Sequence, residues 1–246
     1  MASNKHTLSF SSLKQFDKSP SHFLQYKRRE FKSTAAMRLG TLTHLSILEP
    51  DEFKSTVVVT DLSRRTKAFK EFESENESKE IITTKEAEQI QGMTDSVAGM
   101  VKARKLIHNA DETEKSHTWK YRDYVFRGIP DAVSGNCIVD LKTTKDATPR
   151  KFEADAFRML YHMQAAAYIS GLNSKGYDIK HYYIVAVETT APYPVTVFKL
   201  SDELITRGFM KLDSIIDKFD GWDGSECGYH EADQQVQMNI PEWAQP

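Results

Sequence analysis

RGIPDAVSGNCIVDLK, residues 127–142, carries two short apolar runs separated by the turn signal Ser134-Gly135-Asn136. Asp131 lies on the first run, and Asp140 and Lys142 lie on the second. Side chains alternate along a strand, so Asp140 and Lys142 share a face and Leu141 points to the other. If the runs pair as a hairpin, two carboxylates and one ammonium converge in a small volume. Such a group suits a divalent cation and a water held against a phosphodiester.

Each part has a plainer reading. Asp140 and Lys142 could be an ion pair on an edge strand, and Asp131 a turn residue after Pro130. The chemistry gains weight only from the parts together. Asp131 and Asp140 would bind the metal, and the carbonyl of Leu141 could add an oxygen ligand. Lys142 could orient the water, deprotonate it, or stabilise charge in the transition state. Mg²⁺ is the expected ion, with Mn²⁺ as a substitute.

The flanking sequence reads as strands and helices around this centre. Residues 117–142 form a meander of strand-like runs, and 181–187 and 193–199 read as two more strands. Pro149 and Gly171 bound one helix over 149–171, with Gln164 and Tyr168 on one face. Residues 83–108 read as one amphipathic helix opened by the capping box Thr83-x-x-Glu86. Ser201 caps a helix running to about Phe219.

Upstream, Ser11 or Ser12 caps a short helix bearing Leu13 and Phe16, and Pro20 opens a second that ends in Lys27, Arg28 and Arg29. Residues 34–49 read as a buried helix with Met37, Leu42, Leu45 and Leu48 inward. Gly40 suggests close packing there, and His44 falls on its face one turn on. Residues 51–80 are polar, with a short strand at Val57–Val59 and a charge-dense exposed stretch after it.

The chain has 246 residues, 39% hydrophobic and 28% charged, which suits a globular protein with a real core. No apolar run is long enough for a membrane span, and the first ten residues lack a secretory signal. Two distant cysteines, Cys137 and Cys227, argue against a disulfide framework or a zinc or iron–sulfur site, so a reducing cytoplasm is expected. A net charge of −2 disfavours a DNA-coating protein but leaves room for an enzyme that grips DNA locally. A single domain is expected over 1–246: a helical part to 110, the sheet and its helix over 111–200, and a helix and irregular tail over 201–246.

Four pieces recur in order: Gly40-x-x-x-His44, Gly128-Ile129-Pro130-Asp131, Asp140-Leu141-Lys142 and Gln164-x-x-x-Tyr168. In that order they resemble the RecB-type branch of the PD-(D/E)xK nuclease superfamily, as does the opening SFSSLKQFDKSPSHFLQYK. DLKTTKDATPRKF followed by YHMQAAAY resembles, more narrowly, the RecE-like exonucleases, often encoded by phages or prophages in bacterial hosts.

The resemblance implies an α+β fold of the restriction-endonuclease type, with a mixed central sheet flanked by helices. It implies His44 as a metal ligand with Asp131 and Asp140, Lys142 as catalytic, and Gln164 and Tyr168 lining the site against the scissile strand. It further implies Mg²⁺-dependent 5′→3′ digestion from double-stranded DNA ends, leaving 3′ single strands for an annealing protein. Ring-like trimers or tetramers go with that activity. The second acid is often Glu in this family, and here it is the shorter Asp140.

Overall fold

The structure is a computed structural model and describes residues 7–28 and 33–226. Helices α1 (Phe10–Lys18) and α2 (Pro20–Lys27) open it, followed by α3 (Ala35–Leu48) and α4 (Pro50–Thr56). Strand β1 (Val57–Thr60), helix α5 (Lys67–Glu75) and strand β2 (Glu80–Thr83) lead into α6 (Thr84–Gly99) and α7 (Val101–His108). Five strands follow: β3 (Glu112–Thr113), β4 (His117–Tyr121), β5 (Tyr124–Gly128), β6 (Ala132–Ser134) and β7 (Cys137–Thr144). Helices α8 (Pro149–Arg158) and α9 (Tyr161–Asn173), strands β8 (His181–Glu188) and β9 (Val195–Lys199), and helix α10 (Asp202–Asp220) complete it.

The central sheet runs β3-β6-β7-β8-β9, with β7 and β8 parallel and the other neighbours antiparallel. It is the mixed sheet flanked by helices that the sequence led us to expect. Strand β7 lies in its middle, not at an edge, and Cys137–Leu141 are all buried. A strand covered on both faces needs near-continuous apolar sequence, which explains the run Cys137-Ile138-Val139.

The two faces feed two cores. Ile138, Tyr182, Ile184 and Ala186 pack with α1, α2, α9 and α10. Val139, Leu141, Val185 and Val187 pack with Leu42 of α3 and Ile90, Met93 and Val97 of α6. Asp140 therefore points to the α9 side, as alternation requires.

Several local expectations are corrected. The cap of α1 is Ser9, not Ser11 or Ser12; its hydroxyl accepts from the Ser12 amide while the Ser12 hydroxyl accepts from the Ser9 amide. Ser9→Ala should cost about 1 kcal/mol, a fall in Tm of about 2–4 °C by calorimetry for a chain of this size.

The stretch 83–108 is two helices, because Met100 takes extended dihedrals just after Gly99, a poor helix former. The stretch 149–171 is also two, broken at Leu160 in the left-handed region (φ 61°). Gly171 does not stop α9; it sits inside the helix, where a Cβ would come within 2.4 Å of the Trp119 ring. Met37, expected inward, is 45% exposed. The first 110 residues are not only helical: β1 and β2 pair there in parallel, and β2 carried no clear signal. Arg29, Cys227 and most of the expected tail lie outside the described residues.

Candidate metal and nuclease site

The hairpin forms. Strands β6 and β7 pair antiparallel, with Ala132 opposite Val139 and Ser134 opposite Cys137. Asp131 ends the loop into β6, and its Oδ2 accepts the amide of Leu141 at 2.6 Å. That bond fixes one carboxylate against the strand that bears the other.

Asp140 is 1% exposed. Its Oδ1 accepts from Nε2 of Gln164 at 3.2 Å, and its Oδ2 lies 2.5 Å from Nζ of Lys142. Lys142 also lies over the ring of Tyr161, 5.0 Å from its centroid. Burial pushes the Asp140 carboxyl up to about 6, against the pull of the Lys142 ammonium. Burial also disfavours charge on Lys142, but Asp140 and Asp131 outweigh it and hold its pKa above the usual lysine value. In this arrangement Lys142 is an ammonium, which suits charge stabilisation better than proton abstraction.

Helix α3 delivers His44. Gly40, one turn earlier, faces Thr143 of β7; a Cβ there would stand 3.2 Å from the Thr143 hydroxyl oxygen. The close approach expected from Gly40 is thus the approach of α3 to the end of β7. His44 Nδ1 comes within 3.6 Å of Asp131 Oδ2 and 3.9 Å of Glu114 Oε1. Burial opposes a charge on the ring, yet Glu114 and Asp131 more than offset it, and the imidazole pKa is raised.

Among the described residues, His44, Glu114 and Asp131 each offer a ligand atom, all within 4.8 Å of one another. One imidazole nitrogen and two carboxylate oxygens suit a divalent cation, and Asp140 adds negative charge close by. The His44 and Glu114 side chains are 23% and 29% exposed, so this corner opens to solvent while Asp140 closes the floor.

Glu114 escaped the sequence reading. It follows a two-residue strand in the acid-rich run Asp111-Glu112-Thr113-Glu114, where no spacing marks one acid over another. Its amide donates to the Asp131 carbonyl at 3.1 Å, and its φ of 47° turns the chain there.

The other expected residues lie behind the acids. Gln164 and Tyr168 share the buried face of α9. The Tyr168 hydroxyl donates to the Ile129 carbonyl at 3.3 Å, and burial raises its pKa to about 12. Both residues are 8% exposed, so in this arrangement they brace the Asp131 loop and Asp140. At the basic end of α2, Lys27 donates to the Thr7 carbonyl and Arg28 pairs with Glu226.

A solved structure, that of a candidate exonuclease from Eubacterium rectale, shares this fold. It aligns with a TM-score of 0.63 at 14% identity, covering 97% of this chain and 92% of that one. LHK-Exo in complex with dAMP aligns over 73% of this chain and 87% of that one at 13% identity, with a TM-score of only 0.30. SSO0001 aligns over 83% and 86% at 14% identity, with a TM-score of 0.29. At those scores the last two likenesses carry no weight. No curated protein sequence matches the chain. No helix among the described residues is long and apolar enough to cross a membrane. The family described as "PDDEXK-like domain of unknown function (DUF3799)" matches residues 9–224, and with its hairpin acids and lysine on a mixed central sheet the chain belongs to that family.

Proposed function

We propose that the protein is a metal-dependent DNA nuclease that hydrolyses phosphodiester bonds at the corner formed by His44, Glu114, Asp131, Asp140 and Lys142. One observation carries this reading: a helix, a short strand end and the hairpin bring His44, Glu114 and Asp131 to one partly open corner, and the same hairpin sets the buried Asp140–Lys142 pair behind it. Family membership supports it independently.

A divalent cation bound there, Mg²⁺ in our reading, would acidify water and polarise the phosphate. His44, Asp131 and Glu114 have the donor atoms to hold it, with Asp140 and the Leu141 carbonyl beside them. Lys142 would stabilise the charge that develops on the phosphate oxygens. Gln164 would orient Asp140, and Tyr168 would hold the loop that carries Asp131.

The finer reading is an exonuclease that digests linear duplex DNA 5′→3′ and leaves 3′ strands for annealing. The RecE-like pattern from Asp140 to Tyr168 supports it, as does the name of the Eubacterium rectale neighbour. A ring-like trimer or tetramer and an annealing partner follow from the same resemblance.

The test is digestion of a linear duplex labelled at one end, with closed circular plasmid alongside and Mg²⁺ present. Release from the 5′ end with the plasmid intact is expected. Cleavage of the plasmid would replace the exonuclease by an endonuclease. No digestion with Mg²⁺ or Mn²⁺ would remove the nuclease reading.

Metal binding has its own measurement. At a Mg²⁺ concentration one hundred times its Kd, the fold should gain about 2.7 kcal/mol, visible as a higher Tm. Asp131→Asn should lose that rise, because this carboxylate faces His44 and Glu114 together. An unchanged rise in the variant would remove Asp131 as a ligand.

A further inference from the structure

Helix α1 places Lys14 against Met159, two residues before Tyr161, whose ring lies under the Lys142 ammonium. The Lys14 ammonium lies 3.5 Å from the sulfur of Met159, at the α8–α9 break, and 5.9 Å from the centroid of the Phe10 ring. Among the described residues, no carboxylate pairs with it. Asp17 and Asp155 are engaged by other cations. Asp17, on the same helix, pairs with Lys211 at 2.7 Å. Asp155, on α8, holds Lys151 at 2.9 Å and Arg158 at 2.8 Å.

The surroundings of Lys14 are instead cationic. Burial, then the charges of Lys18 and Lys142, lower its pKa to about 8. Lysines commonly lay their stems on apolar surface and send the ammonium to solvent. Lys14 is half-buried, its head beside the partly exposed thioether of Met159 and within the field of the Lys142 ammonium. Repulsion of this kind is relieved when an anion enters between the charges.

We propose that Lys14 binds a phosphate of the DNA strand next to the scissile one, so that the strand is gripped by Lys14 and Lys142 together. This inference rests on the nuclease reading. The shared chemistry is a phosphate monoanion or dianion on DNA, either internal to the strand or at its 5′ terminus. Lys14 would then set position and register and leave the chemistry to the neighbouring corner.

The test measures binding, not cleavage. Fluorescence anisotropy of a labelled duplex, with Ca²⁺ in place of Mg²⁺, gives Kd over a range of salt concentrations. Wild-type protein, Lys14→Met, Lys14→Gln, Lys14→Arg and the remote control Lys180→Ala are compared. Loss of one phosphate contact should flatten the slope of log K against log salt by about 0.9 for Lys14→Met and Lys14→Gln. Lys14→Arg should keep the slope, and so should Lys180→Ala. The Tm of Lys14→Met should not fall, because removing an unpaired cation relieves repulsion; a residue with a merely structural role would lower it.

Duplexes with 5′-phosphate and 5′-hydroxyl ends separate the two sources. Loss confined to phosphorylated ends assigns the terminal phosphate, and equal loss on both assigns an internal one. A wild-type slope in Lys14→Met and Lys14→Gln would overturn the inference and leave the nuclease reading standing, as would an equal loss in Lys180→Ala. A wild-type protein that neither binds nor digests DNA would overturn both.

Discussion

Lys142→Met should still bind linear duplex DNA, with the slope of log K against log salt flattened by about 0.9 for the lost phosphate contact, yet release end label at least about 100–1,000 times more slowly, the usual loss when one charge-stabilising donor is removed. Methionine keeps much of the volume of the lysine stem, so packing over Tyr161 survives. What disappears is the ammonium 2.5 Å from Asp140. Removing one partner of a buried ion pair ordinarily costs about 3–5 kcal/mol, because the other charge is stranded. Here Asp140 has an outlet: burial already pushes its carboxyl up to about 6, and without Lys142 it takes a proton at neutral pH. The fold should therefore survive while the rate collapses. A Lys142→Met protein that digests DNA within ten-fold of wild type would remove Lys142 from the catalytic group.

Gly208→Ala should be the most damaging small change to the fold. Helix α10 crosses α9 at this glycine, and a Cβ would lie 2.0 Å from the His162 carbonyl oxygen and 2.6 Å from its carbon. Both atoms are helix backbone, so neither can rotate away. The helices must separate, and overpacking of this kind costs about 3 kcal/mol or more at its upper end. For a chain of this size that is a fall in Tm of about 6–12 °C by calorimetry. Because α9 carries Gln164 and Tyr168, the shift should reach Asp140 and the Asp131 loop as well.

Gly92→Ala is the contrast. Its Cβ would meet the Tyr193 ring at 2.2 Å, an apparently similar clash. A partly exposed side chain can swing aside, so the loss should be well under that of Gly208→Ala. Equal losses at the two glycines would refute the distinction between backbone and side-chain obstruction.

Much of the centre was legible because its signals are local. Ser134-Gly135-Asn136 joins two short runs, and a period of two sets which face Asp140 and Lys142 share. Capping chemistry is equally local, so the starts of α6 at Thr83 and of α10 at Ser201 stood where their sequence placed them. Boundaries inside helices were not legible. Nothing near Leu160 demands a left-handed residue, yet its left-handed backbone is what separates α8 from α9. Ser9, Ser11 and Ser12 are alike as capping residues in the sequence, and only the extended backbone at Ser9 makes it the cap.

By itself the sequence determined the hairpin that carries Asp131, Asp140 and Lys142, since turn chemistry and strand alternation act over a few residues. Only the tertiary structure decided which partners reach that hairpin. His44 arrives because Gly40 lets α3 close on β7, and Glu114 because a two-residue strand pairs with β6. The arrival of Lys14 at the α8–α9 break depends on how α1 packs in the core under that face. Contacts between segments this far apart are set by packing and loop closure, for which no short stretch of sequence holds a signal.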